Sequence, residues 1–252
     1  MKQKIRQLAL PGFELADYIA DSIDFLQKNE PQEGYFVGFS GGKDSIVTLD
    51  LVKLSGVKYF AGYKCTGIDY PEIPRFIRRY YPEEVVFYSP KESYWSLLRK
   101  NGPPMRMIRW CCRILKEEDS HKECVFGLRA EESYKRAVRG RISTYQGKTI
   151  YKPIFHWPEW AVWQYIEENS LPYPTLYDEG ASRIGCIGCP FALCGRGEAK
   201  AIRRRKEMQR FPSWYKIHRK ILREWFERTR QANPDKYPIQ DFETFYQNYW
   251  LT

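Results

Sequence analysis

The sequence predicts an α/β fold, with a mostly parallel, doubly wound sheet and a basic helical C-terminal extension. Apolar runs alternate with helical patterns through the first two thirds of the 252 residues, which is typical of βαβ units. A glycine turn joins the first apolar run to a helical one, and beyond Tyr177 the alternation gives way to a cysteine-rich loop and basic segments. Hydrophobic residues make up 43% of the chain, which is enough for a buried core.

The apolar runs predict five strands and the helical periodicities predict five helices ahead of the extension. The strands are Tyr35–Phe39, Val57–Tyr63, Val85–Tyr88, Val125–Leu128 and Ile150–Ile154. The helices are Leu15–Gln27, Ser45–Leu54, Pro71–Arg79, Tyr94–Lys100 and Trp160–Asn169. In the extension we expect long basic helices up to about Ala232 and then an aromatic tail.

The glycine turn after the first strand reads Ser40-Gly41-Gly42-Lys43-Asp44-Ser45. Small residues let the backbone approach a ligand closely, and the first amides and the dipole of the following helix attract an anion. Lys43 adds a mobile positive charge, while Asp44 either holds Mg²⁺ or caps the helix. The turn is not a Walker A loop, because Gly38 stands one residue short of the required position and Asp44 follows the lysine. It therefore predicts a phosphate cradle of another kind.

Seven cysteines in a chain with cytosolic features indicate metal or redox chemistry rather than a disulfide framework. Cys111 and Cys112 are adjacent, and Cys186 and Cys189 form a CxxC pair after 73 intervening residues. Four thiolates on one centre suit a [4Fe–4S] cluster or a zinc ion, and the remaining alternative is a set of small buried residues. We favour the cluster, with zinc as the alternative.

The motif SGGKDS resembles the PP-loop of the adenine nucleotide alpha-hydrolases, which binds the phosphates of an adenine nucleotide. Adjacent cysteines with a distant CxxC pair are similar to the cluster ligands of the sulfonucleotide (PAPS/APS) reductases in that superfamily. Neighbouring stretches also look like the reductases: Gly127–Ser133 with Arg136, Pro153–Trp157, and Tyr177–Gly180. The resemblance covers roughly residues 30 to 195.

The resemblance implies a site for ATP or a related adenine nucleotide, together with Mg²⁺. Lys43 and Asp44 are the expected catalytic residues. Nucleotide contacts are expected from Ser40, Gly41, Gly42, Lys43, Asp44, Ser45, Thr66, Gly67, Asp69, Gly127, Arg129, Glu132 and Arg136. The expected cluster ligands are Cys111, Cys112, Cys186 and Cys189.

Several of these residues keep a second interpretation. Arg129 and Arg136 either pair with Glu131 and Glu132 or bind a phosphate or sulfate. Asp69 is either a nucleotide or metal contact or a solvated loop carboxylate. Cys65 stands where the family usually has Asp before Thr-Gly, which bears on how the ribose or adenine is held.

The formal net charge of +10 is concentrated in the segment 196–230, which holds thirteen Lys and Arg residues but four Asp and Glu residues. Such a segment attracts polyanions. Aromatic residues are interleaved with the charges, so either they stack on the bases of RNA or DNA or they belong to the core. We expect a nucleic-acid partner, against the alternative of an ordinary solvated helix face.

Three hypotheses about function follow. The reductases use a nucleophilic cysteine near the C-terminus, whereas no cysteine follows Cys194 in this sequence. The intact SGGKDS motif is typical of ATP-cleaving members, some of which thiolate nucleic acids and carry a cluster. We therefore favour an adenylating enzyme of the ATP pyrophosphatase type that acts in sulfur transfer or nucleic-acid modification. The alternatives are a sulfonucleotide reductase with a relocated thiol and a non-catalytic accessory protein that binds a nucleotide or nucleic acid.

The expected organisation has three parts: an N-terminal helical segment at 1–30, the PP-loop nucleotide-binding domain at 31–178, and the cysteine loop with the basic helices at 179–252. The polar N-terminus and the lack of an apolar run of 18 residues predict a cytoplasmic protein without membrane contact. The sequence leaves the oligomeric state open, a homo-oligomer included.

Overall fold

A computed structural model describes residues 12–105, 108–117, 121–191, 198–232 and 241–248. The strands are β1 (Tyr35–Gly38), β2 (Tyr59–Lys64), β3 (Val85–Tyr88), β4 (Glu123–Val125), β5 (Ile142–Tyr145) and β6 (Lys148–Tyr151). The helices are α1 (Leu15–Lys28), α2 (Lys43–Ser55), α3 (Glu72–Tyr80), α4 (Tyr94–Asn101), α5 (Trp110–Cys112), α6 (Tyr134–Ala137), α7 (Glu159–Glu168), α8 (Glu198–Arg210), α9 (Pro212–Ala232) and α10 (Phe242–Tyr246). A π-helical turn continues α5 over Arg113–Glu117, and a 3₁₀ turn covers Ala130–Glu132.

The described residues fall into two compact units that interleave along the chain. The first unit comprises Met1–Lys64, Pro71–Tyr88 and Asp119–Ala181, so far as these are described. The second comprises Cys65–Tyr70, Ser89–Glu118 and Ser182–Thr252, within the same limits. The linear division at 30 and 178 stays a prediction. The contacts assign the turn after β2 and the Cys111–Cys112 region to the same unit as the basic helices.

The first unit is built on a six-stranded sheet in the order β3-β2-β1-β4-β6-β5. All neighbouring pairs are parallel except β5 and β6, which form an antiparallel hairpin. The predicted α/β fold with a mostly parallel sheet is confirmed. The chain proceeds outward from β1 in one direction to β3, and β4 then starts the other half of the sheet. The carboxyl ends of β1 and β4 therefore flank the switch point, where ligands bind in sheets of this kind.

The sequence patterns missed β5 and misplaced both ends of β4, predicted over Val125–Leu128 and observed over Glu123–Val125. The β5–β6 hairpin turns at Gln146 and Gly147, both of which have positive φ, 50° and 74°. A two-residue turn of this type suits a hairpin, but Gln-Gly is a weaker signal than Asn-Gly. The apolar run at Val125–Leu128 extends beyond the strand, because β4 ends at Val125 and the next residues lead into a loop. Hydrophobicity alone could not separate the strand from that loop.

The second unit has its own apolar core, to which α9 contributes Ile221, Leu222, Trp225 and Phe226. The remaining buried core residues are Ile68, Tyr94, Leu97, Leu98, Trp110, Leu115, Phe242 and Tyr246. In the sequence, the aromatics of α9 had two interpretations, base stacking or core. The structure buries Tyr215, Trp225 and Phe226, so these three side chains belong to the core. No helix in the described part of the chain is both long and apolar enough to cross a membrane.

Candidate nucleotide and cysteine sites

The glycine turn is braced by its own serines at the start of α2. Ser45 Oγ accepts a hydrogen bond from Ser40 N–H at 3.2 Å and donates to Gly42 C=O at 2.8 Å. Gly41 has φ +72°, and a Cβ there would lie 3.1 Å from Ile73 Cγ2, so this position requires glycine. The side chains thus hold a tight turn whose backbone leads directly into the helix N-terminus. This is the geometry of an anion cradle.

Lys43 opens α2, and its side chain is 4% exposed. Its Nζ lies 3.4 Å from Glu159 Oε1 and 3.8 Å from Asp44 Oδ2. The same ammonium lies 5.3 Å from the ring centroid of Tyr177 and 5.9 Å from that of Trp163, within the range of cation–π attraction. A buried cation is therefore held at the mouth of the glycine turn.

Tyr177 also reaches the turn through its hydroxyl group, which accepts a hydrogen bond from Lys43 N–H at 3.0 Å. The stretch from Tyr177 to Gly180 resembles the reductases in sequence, but the resemblance predicted no role for Tyr177 at the site. Glu159 and Trp163, both on α7, were not predicted as site residues either. Both residues lie beside Lys43 because segments more than one hundred residues apart in the chain pack together. No local sequence pattern predicts that contact.

The buried Arg129 pairs with Asp44. Arg129 Nε donates to Asp44 Oδ1 at 2.6 Å, and Nη1 donates to Glu131 Oε2 at 2.8 Å and to the Trp157 carbonyl at 3.4 Å. Because α2 begins at Lys43, Asp44 lies in the first turn rather than at the N-cap, which is Gly42. Its carboxylate is thus oriented by Arg129 and faces a favourable helix dipole. Of the alternatives for Asp44, capping is wrong and a metal contact stays a prediction.

The loop after β4 approaches the glycine turn through Gly127. A Cβ on Gly127 would lie 2.5 Å from the carbonyl oxygen of Asp44 and 2.9 Å from Thr48 Oγ1, so the loop can lie there only without a side chain. Farther along, Arg136 pairs with Glu132, whose carboxylate also accepts from Arg129 N–H. Both predicted anion-binding arginines are thus paired with acids, and their contact with a nucleotide stays a prediction.

The predicted contacts Thr66, Gly67 and Asp69 belong to the second unit. Asp69 Oδ2 accepts from Thr66 N–H at 3.2 Å and from Thr66 Oγ1 at 2.7 Å, which closes the turn on itself. Asp69 Oδ1 lies 3.6 Å from Cys186 Sγ and 3.8 Å from Lys116 Nζ. Asp69 thus contacts both Thr66 within its own turn and the cysteine region. Its role at the nucleotide stays a prediction.

All four predicted metal ligands line one cavity of about 30 Å³ in the second unit. They arrive on two elements: Cys111 and Cys112 on α5, and Cys186 and Cys189 on a loop that pairs with the Ile68–Tyr70 segment. Two cysteine pairs separated by 73 intervening residues therefore share one site. Cys124, by contrast, is buried in β4, and Cys194 lies outside the described residues.

The thiols in this cavity perturb one another. A hydrogen bond between Cys111 and Cys112 raises the pKa of Cys111 and lowers that of Cys112, because one sulfur then carries the proton for both. Burial raises the pKa of Cys186 to about 12, and the positive charge of Lys116 opposes that shift. A metal cation or a cluster that binds here would replace the thiol protons.

The donor set fits a thiolate-bound centre. Four sulfurs, a narrow cavity and a glycine within the CxxC pair are what a [4Fe–4S] cluster or a Zn(Cys)₄ site requires. Among the described residues, no three His, Cys, Asp or Glu side chains are arranged closely enough to hold a metal as they stand. The four sulfurs would therefore have to come closer together to hold such a group. Cys111, Cys112, Cys186 and Cys189 remain its predicted ligands.

The basic segment forms α8 and α9, of which α8 exposes Arg203, Arg205, Lys206 and Arg210. Arg204 belongs to the basic run Arg203–Lys206, four consecutive basic residues, but is instead fully buried. On α9, Arg219 and Arg223 pair with Glu243. A positively charged surface is present, but fewer basic residues contribute to it than the sequence suggested, because Arg204 is buried and Arg219 and Arg223 pair with an acid. Arg196 lies outside the described residues.

Comparison with known proteins agrees with this geometry. The family model of the phosphoadenosine phosphosulfate reductase domain matches residues 34–192. The chain is 32% identical over 231 residues to the uncharacterized protein MJ0066 of Methanocaldococcus jannaschii, covering 84% of this chain but 46% of that protein. It is 28% identical over 199 residues to an adenosine 5'-phosphosulfate reductase of Lysinibacillus sphaericus, covering 71% of this chain and 83% of the other.

A solved structure shows the same fold. The crystal structure of phosphoadenylyl-sulfate (PAPS) reductase from Candida auris, in complex with phosphate, aligns with a TM-score of 0.53 at 18% identity. The alignment covers 72% of this chain and 98% of that one. The glycine turn and the fold are those of the PP-loop proteins related to the PAPS and APS reductases. The chain belongs to the phosphoadenosine phosphosulfate reductase domain family, and it spans less than half the length of the M. jannaschii relative.

Proposed function

We propose that this protein is an adenylating enzyme of the ATP pyrophosphatase type, which binds ATP at the glycine turn. The observation that carries the proposal is the buried Lys43 at the mouth of an intact SGGKDS turn, with Asp44 oriented by Arg129. With ATP bound at the turn, Lys43 and the N-terminus of α2 would face its β- and γ-phosphates. We expect the reaction in the cytoplasm.

In the proposed reaction, an acceptor oxygen attacks the α-phosphorus of ATP. The bond from that phosphorus to the α–β bridging oxygen breaks, and pyrophosphate leaves with the electron pair. Lys43 and the first amides of α2 offset the charge that develops on the leaving group, which is where electrostatic stabilisation acts most strongly. Asp44, held by Arg129, is in place to bind the Mg²⁺ that accompanies ATP.

The cysteine cavity would hold the [4Fe–4S] cluster, with Cys111, Cys112, Cys186 and Cys189 as ligands and zinc as the alternative occupant. When bound, the cluster supplies a redox-active or structural centre for sulfur chemistry. The exposed basic residues of α8 and α9 support a nucleic acid as the acceptor that is adenylated. Contact through phosphates carries this part of the proposal, since Tyr215, Trp225 and Phe226 on α9 are buried and Trp214 is partly buried.

The test is pyrophosphate release from ATP by anaerobically purified protein, with and without RNA or DNA. We expect Lys43→Ala to lower kcat about 10²-fold, the usual loss for one electrostatic group at a reacting centre. Lys53→Ala is the matched control, because Lys53 lies on the same helix but is 44% exposed and pairs with Glu84. Equal activity of the two variants would contradict the assignment of Lys43.

The second candidate is reduction of PAPS or APS. It is favoured by the name of the family and by the named relatives, and by the four cysteines in one cavity. Calorimetry with ATP, APS and PAPS on the same preparation separates the two. Tighter binding of APS or PAPS, with sulfite released in the presence of thioredoxin, would establish the reductase. Nucleotide binding without turnover of any of the three would leave the non-catalytic accessory protein.

A further inference from the structure

The inner face of α8 carries a buried ion pair. Arg204 is fully buried and Glu207 is 6% exposed, whereas their neighbours Arg203, Arg205 and Lys206 are exposed. Arg204 Nη1 donates to Glu207 Oε2 at 2.5 Å. Taking two charges out of water is unfavourable unless good geometry and further hydrogen bonds offset the loss of solvation. The partners of this pair show what those further bonds are.

The pair bonds directly to the backbone of the cysteine loop. Arg204 Nη2 donates to the Cys189 carbonyl at 2.8 Å, and Glu207 Oε2 accepts from Gly188 N–H at 3.3 Å. One donor and one acceptor on α8 thus bind backbone groups of two consecutive residues of the CxxC pair, Gly188 and Cys189. A loop of this kind has no strand partner for these groups, so the ion pair satisfies backbone polar groups that are otherwise costly to bury.

Glu207 also binds the Ile68–Tyr70 segment, which pairs with the CxxC loop. Its Oε1 accepts from the Tyr70 hydroxyl at 2.7 Å. Tyr70 ends the segment in which Ile68 C=O accepts from Ile187 N–H at 2.7 Å and Asp69 bridges to Cys186. One buried carboxylate therefore ties together the CxxC loop and the strand-like segment paired with it.

Trp214, on α9, packs against the CxxC loop and restricts the position of its backbone at Gly188. Gly188 has φ +67°, and a Cβ there would lie 2.1 Å from Trp214 Cη2. The loop can thus take this position only with glycine between its cysteines. Helix packing on one side and the ion pair on the other leave the backbone of Cys186–Cys189 with little freedom.

We propose that Arg204 and Glu207, with Tyr70, position the CxxC loop so that Cys186 and Cys189 face Cys111 and Cys112. The inference rests on the thiolate-bound centre proposed above and names its positioning residues. It also separates two roles within the basic run: Arg204 acts inward on the loop, whereas Arg203, Arg205 and Lys206 face solvent. Partners that orient metal ligands in this way commonly change metal retention 10- to 100-fold when removed.

The test compares iron retention in reconstituted protein. The double variant Arg204→Met, Glu207→Leu removes both charges together, because a single substitution would leave an unpaired buried charge and risk unfolding. We expect a chelator to strip its iron about 10- to 100-fold faster than that of the wild type. Tyr70→Phe, which keeps the ion pair, should give a smaller increase. Arg205→Met is the matched control on the exposed face of α8 and should match the wild type.

A second readout keeps the inference independent of the cluster. In metal-free protein, alkylation of each cysteine is followed by mass spectrometry, and we expect Cys186 and Cys189 to react faster in the double variant. A wild type that binds no metal would overturn the proposed centre but leave this measurement to decide the positioning role. Unchanged iron release and unchanged alkylation in both the double variant and Tyr70→Phe would overturn the inference, as would an equal effect of Arg205→Met.

Discussion

Replacing Arg129 with Met removes the side chain that orients Asp44 in the glycine turn. The Arg129 side chain is 5% exposed and that of Asp44 is 21% exposed, with Nε and Oδ1 2.6 Å apart. Removing one partner of a buried ion pair costs about 3–5 kcal/mol, since the other charge is left without a partner in a poorly solvated place. Lys43 Nζ, 3.8 Å from Asp44, and the partial exposure of the carboxylate reduce that cost.

We therefore expect Arg129→Met to lower the free energy of unfolding by about 3 kcal/mol, the lower end of that range. For a chain of this size, this corresponds to a fall of about 6–12 °C in Tm. The assay is thermal unfolding of Arg129→Met, Asp44→Asn and the double variant, with nucleotide affinity measured in parallel. Lys28→Met is the control, because Lys28 and Asp24 form an exposed pair and should contribute at most about 1 kcal/mol.

The double-variant cycle measures the interaction energy between Arg129 and Asp44 in the folded protein. If the two single effects add to within about 0.5 kcal/mol, Arg129 and Asp44 do not interact energetically and the contact has no role in stability. The binding data make a second distinction. Equal losses of affinity in both single variants indicate that Arg129 acts through Asp44, whereas a loss confined to Arg129→Met indicates direct contact with the anion.

Three further predictions concern other parts of the chain. Gly127→Ala should destabilise the protein by about 1–3 kcal/mol and weaken nucleotide binding, because the new Cβ meets the Asp44 carbonyl. Gly147→Ala is the control for backbone strain, because φ there is +74° and nothing lies within 4 Å of the new Cβ; an equal loss of affinity in this variant would exclude the clash. Burial lowers the pKa of Lys152 to about 8, so the unfolded chain binds one more proton between about pH 8 and 10. Wild-type stability should therefore rise relative to Lys152→Met across that window, by roughly 3 kcal/mol in urea unfolding, and a flat difference would exclude the shift. Cys189→Ser should lower the bound iron and the visible absorption of the protein, whereas Cys124→Ser should retain both. A colourless wild-type protein that contains zinc would show that the site holds zinc and not the cluster.

Local patterns in the chain were enough to predict the class of fold and most of its elements. The β1 strand, the SGGKDS turn and α2 follow one another directly in the chain. Local sequence is therefore enough to predict a strand, an anion-binding turn and a helix in that order. The same holds for the CxxC pair, whose spacing already indicates a turn that presents two sulfurs. The antiparallel β5 lacked such a signal, because its hairpin is closed by Gln146 and Gly147 rather than a stronger turn pair.

Tertiary structure decided which distant residues complete each site. Asp44 meets Arg129 and Lys43 meets Tyr177 because β1 and β4 lie side by side and α7 packs near the start of α2, which are contacts between segments far apart in the chain. The basic run shows the same limit. The charge of Arg204 is identical in sequence to that of its neighbours, and only the packing of α8 turns it inward, where burial and the Glu207 carboxylate make it a structural residue. Charge and spacing are local properties, whereas burial and partners depend on the whole fold.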